Sequence, residues 1–544
     1  MQKFYKYIFI GILVLAGLLR FWQISAVPAS LDWDEVGLGY SAYSILQTGR
    51  DEYGKFLPFV LESFGDYKPA LYAYLIIPFI LLFDLSVTAV RFPSAIMGLV
   101  AVAATYFLVF ELFKRKGLAL ASAFFLAISP WHIQFSRVGF EANLGVTLNI
   151  LTALFFLKGL KRPIFLFPTA LFAGVSVYAY QSEKLFMPIF LLILTLVYFK
   201  QIIKIPRIYL FSAVTLFGLI VLPMFLYTTF SSEGLARARS TSIFTQEIEG
   251  MESLNQRIQY NQEQNDNFSM LFDNKYIFFG KQIAEGYLVH FDPNWLFITG
   301  DIPRHHAPSM GLLYIAELPF LLIGIFILSF IWLPRSKDRK PYAFLLLWFL
   351  TAPVPASITL EVPHAVRTLN FIPTFQIFVA IGFVSSVLYL LNKFRSRLTG
   401  YAILLFIGIF MIFNFVYYLN QYFVQQNYFH SKDWQYGYKE LVAELEKIRG
   451  DYEKVVISSV SPMDQSYMFF LFYKKYPPSE FQKVRISGTN NFDRYEFRRL
   501  DWERDKDEKG TLFIGSVDQF PTEVEAIKII YYPNGQPAMK IVAP

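Results

Sequence analysis

Read from its first residue, the chain alternates long apolar runs with short charged clusters as far as about residue 420. Runs such as Ile208–Tyr227, Met310–Leu333 and Tyr401–Tyr418 match the roughly 20 residues an apolar helix needs to cross a bilayer. The first run, Tyr7–Trp22, follows Lys3 and Lys6. It reads as an uncleaved first helix with a cytoplasmic start, a cleaved signal peptide being the alternative.

The basic residues between the runs set the expected topology. They fall in five clusters: Lys114–Lys116; Lys158, Lys161 and Arg162; Lys200, Lys204 and Arg207; Arg335, Lys337, Arg339 and Lys340; and Lys393, Arg395 and Arg397. Basic residues concentrate in cytoplasmic loops, so all five are assigned to the cytoplasm. The segments around Arg137–Asn143, Gln181–Lys184, Ser231–Pro308 and Glu361–Arg367 then face the other side. About eleven spans result. The scheme closes only if the apolar segment Ala70–Leu85, which contains Pro78, lies at the interface and does not cross.

Three parts follow: a membrane body over residues 1–420, with a first outer loop at about 27–91; an outer insertion within it at about 231–309; and a small domain over residues 421–544. That last part reads as mixed α/β. Leu441, Val442, Leu445 and Ile448 recur at helical spacing, and Val455–Ile457 and Leu512–Ile514 are short strand patterns. Ile527–Tyr532 and Ala538–Val542 flank Asn534-Gly535, a hairpin signal made irregular by Pro533 and Pro537. The predicted fold class is an all-α polytopic membrane protein with interfacial helices in its first outer loop and a small extracytoplasmic α/β domain.

Composition supports the membrane reading. The 544 residues are 55% hydrophobic and 19% aromatic, with a mean hydropathy of +0.39. Cysteine is absent, which excludes disulfides, thiol nucleophiles and thiolate metal sites. The net charge of +7 reflects loop placement and does not point to nucleic acid. No glycine-rich nucleotide fingerprint occurs, which argues against an ATP-driven pump. No internal repeat of the kind common in secondary transporters is visible.

The candidate chemistry lies in the outer segments. Asp32, Asp34 and Glu35 put three carboxylates in four residues just beyond the first span. They form either an exposed acidic loop or a general base with neighbours that tune its proton affinity. Asp66 and Lys68 follow in the same loop; Lys68 is a snorkelling anchor or a phosphate contact. Arg137 and Glu141, four residues apart, either pair locally or send Glu141 to the acidic site. Lys184 and Arg367 add cations, and Arg367 suits bidentate phosphate binding. His305 and His364 are further substrate-contact candidates. Adjacent His305 and His306 point to opposite sides in extended chain and chelate poorly without a third ligand, so the sequence leaves a metal undecided.

These pieces, in this order, resemble the C-type, membrane-embedded glycosyltransferases that use polyprenyl-phosphate sugars. The nearest group is that of the protein O-mannosyltransferases, aminoarabinose transferases and lipopolysaccharide-core galacturonosyl transferases. Asp34-Glu35, Asp66-Tyr67-Lys68-Pro69, Arg91-Phe92-Pro93-Ser94 and the Ser129-Pro130 to Arg137 and Glu141 segment carry the resemblance, and His364 and Arg367 continue it more loosely. It implies Asp34 as catalytic base, aided by Glu35 and Glu141, with Lys68, Arg137 and Arg367 near the donor phosphate. Asp32 is an acid the motif does not require, and Glu141 stands where an aspartate is expected. The implied reaction is inverting transfer of a sugar from the lipid phosphate to a glycan, lipid or protein acceptor. It would occur on the outer face of a prokaryotic plasma membrane. No organic cofactor is implied, and a divalent cation is left open. Two other readings use the same residues: a transporter or flippase of lipid-linked saccharides, and a non-catalytic assembly factor. Acids at the ends of spans, not mid-span, favour the enzyme.

Overall fold

The computed structural model describes residues 2–246, 248–393, 397–448, 450 and 452–544; Arg395 of the last basic cluster lies outside the described residues. Among them, eight helices are long and apolar enough to cross a membrane: Lys3–Phe21, Val87–Phe113, Ala142–Gly159, Glu183–Ile202, Arg207–Phe230, Ile315–Arg335, Leu369–Asn392 and Leu398–His430. The helices Lys116–Ile128 and Pro130–Arg137, bent by 57°, make a ninth if counted as one span. The chain is thus a multi-pass membrane protein. The expected count of eleven is met only by adding two shorter helical stretches, Pro163–Ser176 and Lys340–Thr351.

Elements of the first third position the site. Helix α1 (Gln2–Phe21) is followed by α2 (Trp33–Thr48), strands β1 (Val60–Ser63) and β2 (Asp66–Pro69), and helix α3 (Leu71–Phe83). Then come α4 (Val87–Phe113), α5 (Lys116–Ile128), α6 (Pro130–Arg137) and α7 (Ala142–Gly159). Helix α3 has 13 residues, about 20 Å of rise, against roughly 30 Å of hydrocarbon. The β1–β2 hairpin pairs Ser63 with Asp66 and turns through Phe64 and Gly65. Both turn residues have positive φ (55° and 78°), as a two-residue hairpin turn of the right twist requires.

Behind these elements the packed helices carry a buried polar knot. Asn149 of α7 donates to the Glu183 carboxylate (2.6 Å) and to Asn370 Oδ1 (2.8 Å). Asn370 Nδ2 donates to Glu183 (2.7 Å), and Ser176 Oγ to Asn149 Oδ1 (2.6 Å). Four chain segments are thereby held in register where unpaired polar groups would be costly.

The C-terminal part contains a five-stranded sheet of β3 (Lys454–Ser458), β4 (Tyr495–Arg498), β5 (Thr511–Ser516), β6 (Lys528–Tyr531) and β7 (Pro537–Val542), in the order β4-β3-β5-β7-β6. β3 runs parallel to β4 and β5, while β7 is antiparallel to β5 and β6. The β6–β7 hairpin shifts register at Ile530/Tyr531, the irregularity its flanking prolines predict.

This part does not stand apart from the first loop. Val36, Tyr40 and Tyr72 share one buried cluster with Leu441, Val455, Phe469 and Ile541. A Cβ on Gly39 of α2 would stand 2.7 Å from Phe472 and 2.7 Å from Val90, so the glycine sets how closely these elements meet. Trp33 N–H donates to Gln435 Oε1 (2.8 Å), and Gln482 donates to Ser44, Thr48 and the Asp51 carbonyl.

Candidate active site

The acidic run at 32–35 opens a helix, and each residue has a separate place. Asp32 caps α2: its Oδ1 accepts the Glu35 N–H (2.8 Å) while Glu35 Oε2 accepts the Asp32 N–H (3.3 Å). That reciprocal pair satisfies two helix-end donors. The other Asp32 oxygen accepts from Arg304 at 2.8 Å, and the Arg304 guanidinium lies 5.2 Å from the Trp33 ring centre. Asp32 is fully buried. Burial raises its pKa to about 6, and Arg304 only partly offsets this.

Glu35 turns the opposite way, into protein. It receives Arg91 Nε (2.9 Å) and Nη2 (3.0 Å), and its Oε1 also accepts the Gly139 N–H (2.7 Å). Arg91 further donates to the carbonyls of Ile24, Pro28 and Ser30. Both side chains are fully buried. The pair fastens the start of α2 to α4 and to the turn before Glu141.

Asp34, one residue earlier, faces open space. It lines a cavity of about 590 Å³ together with Trp33, Asp66, Lys68 and Glu141. Lys68 reaches across from β2 to form a close ion pair with Asp34 Oδ1. Burial lowers the Lys68 pKa, but Asp34 and Glu141 outweigh it and the net shift is upward. Glu141, buried at the head of α7, is raised to about 7 by burial, against the pull of Lys68.

Arg304, His305, His364 and Arg367 line the same cavity, as do Tyr180 and Gln181. Arg367 Nη1 donates to Thr359 Oγ1 (2.9 Å) and to the Leu360 carbonyl. Lys184 lines a neighbouring cavity of about 380 Å³ that shares Tyr180, Gln181 and Arg367 with the first. Gln181 Nε2 donates to the Tyr67 carbonyl (2.7 Å), which ties that border to the hairpin.

The sequence-derived set therefore divides. Asp34, Asp66, Lys68, Glu141, His305, His364 and Arg367 line one cavity, and Lys184 the adjoining one. Asp32, Glu35 and Arg137 are not among the lining residues. Arg137 is fully buried and does not pair with Glu141, the local contact that their spacing suggested. It donates to the carbonyls of Leu19, Arg20, Gln23 and Val27 and so closes the C-terminal end of α1. α6 ends at Arg137, so a helical i,i+4 relation to Glu141 never forms.

Three residues of interest were missed in the sequence. Asp464 and Gln465, from the loop after β3, reach the cavity wall. Asp301 lies behind it, and its Oδ2 is 2.9 Å from His305 Nδ1. Among the described residues, Asp301, His305 and His364 bring one potential ligand atom each within 4.8 Å of one another. A D-x-x-x-H spacing hints at the first two, but His364 joins them only through the fold.

Residues 67–227 match the family model of the dolichyl-phosphate-mannose-protein mannosyltransferases. No curated protein sequence matches the chain significantly. Among solved structures, ArnT of Cupriavidus metallidurans bound to undecaprenyl phosphate aligns over 99% of this chain and 98% of its own, at 12% identity and a TM-score of 0.54. The archaeal oligosaccharyltransferase AglB of Archaeoglobus fulgidus, in complex with an inhibitory peptide and a dolichol-phosphate, aligns over 88% of this chain at 14% identity and a TM-score of 0.52. This chain spans 64% of the length of AglB. The chain thus has the fold of the C-type, membrane-embedded glycosyltransferases and, over residues 67–227, the sequence pattern of their protein mannosyltransferase branch.

Proposed function

We propose that this protein is an inverting glycosyltransferase that moves a sugar from a polyprenyl-phosphate donor to an acceptor hydroxyl. One observation carries the reading. Asp34, Lys68, Glu141 and Arg367 come from four separate stretches of chain and line one cavity, which thus holds two acids and two cations. A soluble ion-pair network needs no such opening. A transfer site needs a base for the hydroxyl and cations for the departing phosphate.

In the proposed step Asp34 accepts the proton of the acceptor hydroxyl. The hydroxyl oxygen bonds to C1 of the sugar, the C1–O bond to the phosphate breaks, and the polyprenyl phosphate leaves with the electron pair. Inversion follows from attack opposite the leaving group. Lys68 and Arg367 balance the charge on the phosphate. Glu35 and Arg137 are positioning residues, one holding the start of α2 and the other the end of α1.

The matched segment and the whole-chain fold support this reading, and the solved relatives were captured with dolichol-phosphate or undecaprenyl phosphate. The adjoining cavity at Lys184 and Leu185 is the suggested path for the lipid. We assign the cavity and the 421–544 domain to the extracytoplasmic side of the plasma membrane, with Ala70–Leu85 as the interfacial helix; the basic clusters support this orientation. The test is acceptor-dependent release of polyprenyl phosphate, compared between the native protein and Asp34→Asn.

A further inference from the structure

The cavity that Asp34 lines also carries His305 and His364, part of a donor set that the proposed transfer does not use. Asp301 is fixed twice through its backbone surroundings: Oδ1 accepts the Ile302 N–H (2.8 Å) and Oδ2 the Ala365 N–H (2.5 Å). His305 follows one turn later and is wedged between Phe135 and Phe140, with ring centres 5.6 Å and 5.9 Å away. The His364 ring lies 5.2 Å from that of His305. Its backbone N–H is held by His290 Nε2 at 3.1 Å. Its Nδ1 atom is buried and has no hydrogen-bond partner among the described residues, an arrangement that costs free energy unless something binds there.

We propose that Asp301, His305 and His364 form a divalent metal site of the zinc type whose open coordination position faces the cavity. Two imidazoles and one carboxylate suit that ion, and three protein ligands plus one exchangeable position are the usual pattern of a reactive zinc site. The donor atoms lie within 4.8 Å of one another. A tetrahedral ion with bonds of about 2.0–2.1 Å holds its ligands roughly 3.4 Å apart, so the set closes once its most separated atoms draw in by roughly 1.4 Å at most. The backbone donors on Asp301 and the aromatic walls of His305 supply the outer support that such ligands need. The oxygen-only pair Asp34 and Glu141 would favour a harder ion, so the two sets are chemically distinct.

His305 and His364 both line the cavity, as does Arg367, three residues beyond His364. The open position therefore faces the place where a donor phosphate would meet Arg367, and the ion takes one of its oxygens. This last assignment rests on the transfer reading; the metal site does not.

The test uses the full-length protein in detergent, stripped with chelator and titrated with Zn²⁺ by calorimetry and with Co²⁺ by visible absorption. One ion per chain is expected, with the intense bands of four-coordinate Co²⁺ and affinity at least 10-fold weaker in Asp301→Asn, His305→Gln and His364→Gln. Unfolding temperature and elution volume check that each variant is folded. Absence of stoichiometric binding to the native protein would overturn the site, as would unchanged affinity in folded His305→Gln and His364→Gln. Adding a short-chain polyprenyl phosphate should shift the Co²⁺ bands, and an unshifted spectrum would overturn the phosphate assignment. Asp34→Asn should bind Co²⁺ normally, so loss of the transfer reading and loss of the metal site are separable results.

Discussion

Lys68 and Asp34 form a direct ion pair in the lining of the cavity, although 34 positions separate them in the chain. The β1–β2 hairpin brings the amine over the first turn of α2. On the proposed reading, the pair holds the carboxylate oriented until a donor phosphate competes for the same ammonium. That reading links engagement of the base and binding of the leaving group through one side chain. Lys68→Ala should lower kcat/KM roughly 100-fold, about 2.7 kcal/mol, chiefly by raising KM for the donor. Lys68→Arg should recover part of the loss. Steady-state kinetics over a range of donor concentration checks this, and an unchanged donor KM would count against it.

Glu35 tests whether the second acid of the pair acts by position. Its carboxylate meets a fully buried Arg91, and removing one partner of such a pair typically costs about 3–5 kcal/mol. Glu35→Ala should therefore lower the unfolding temperature by several degrees, and Glu35→Gln by less. If Glu35→Ala unfolds like the native protein while losing turnover, the residue works in the chemistry and not in support.

Glu141 gives a signed pH dependence. Its pKa is raised to about 7 from an ordinary 4.5. Between those values the folded protein holds a proton that the unfolded chain has released, so rising pH favours unfolding. Stability from this group is present below about pH 4.5, is lost up to about pH 7, and is level beyond. The full change is on the order of 3 kcal/mol. Glu141→Gln should remove that slope, so its advantage in unfolding temperature over the native protein should grow from pH 5 to pH 8. An advantage that is constant with pH would contradict the assignment.

Gly39 reports on the join between the first loop and the C-terminal domain. With Phe472 and Val90 each 2.7 Å from an added Cβ, Gly39→Leu should force the two apart at a cost of about 1–3 kcal/mol. Faster limited proteolysis between the last span and residue 438 is the expected sign. Protection equal to the native protein would show that the contact is looser than described.

Much of this was legible in the chain. Apolar runs located the long spans, because length and hydropathy are local properties. The helix at Tyr438–Ile448 and the strands at 454–458, 511–516, 528–531 and 537–542 follow the periodicities read for them. The Phe64-Gly65 turn was missed, because phenylalanine at positive φ carries no sequence signal. So was the split among Asp32, Asp34 and Glu35, which depends on a helix starting at Trp33. The role of Arg137 was hidden for a similar reason: its partners are backbone carbonyls of α1, more than 100 residues away. The grouping of Asp301, His305 and His364 needs the 301–305 and 364 segments folded together, which the adjacency of His305 and His306 does not signal.

The central claim is that Asp34 is the base of a sugar transfer from a lipid phosphate. Its most direct test supplies purified protein with a panel of short-chain polyprenyl-phosphate sugars and with glycolipid, glycan and peptide acceptors, and measures released polyprenyl phosphate. Release by the native protein should require an acceptor and should fall at least 1,000-fold in Asp34→Asn, a loss of about 4 kcal/mol, with donor binding retained. Full turnover by Asp34→Asn, or donor movement across a vesicle membrane without release of polyprenyl phosphate, would contradict it.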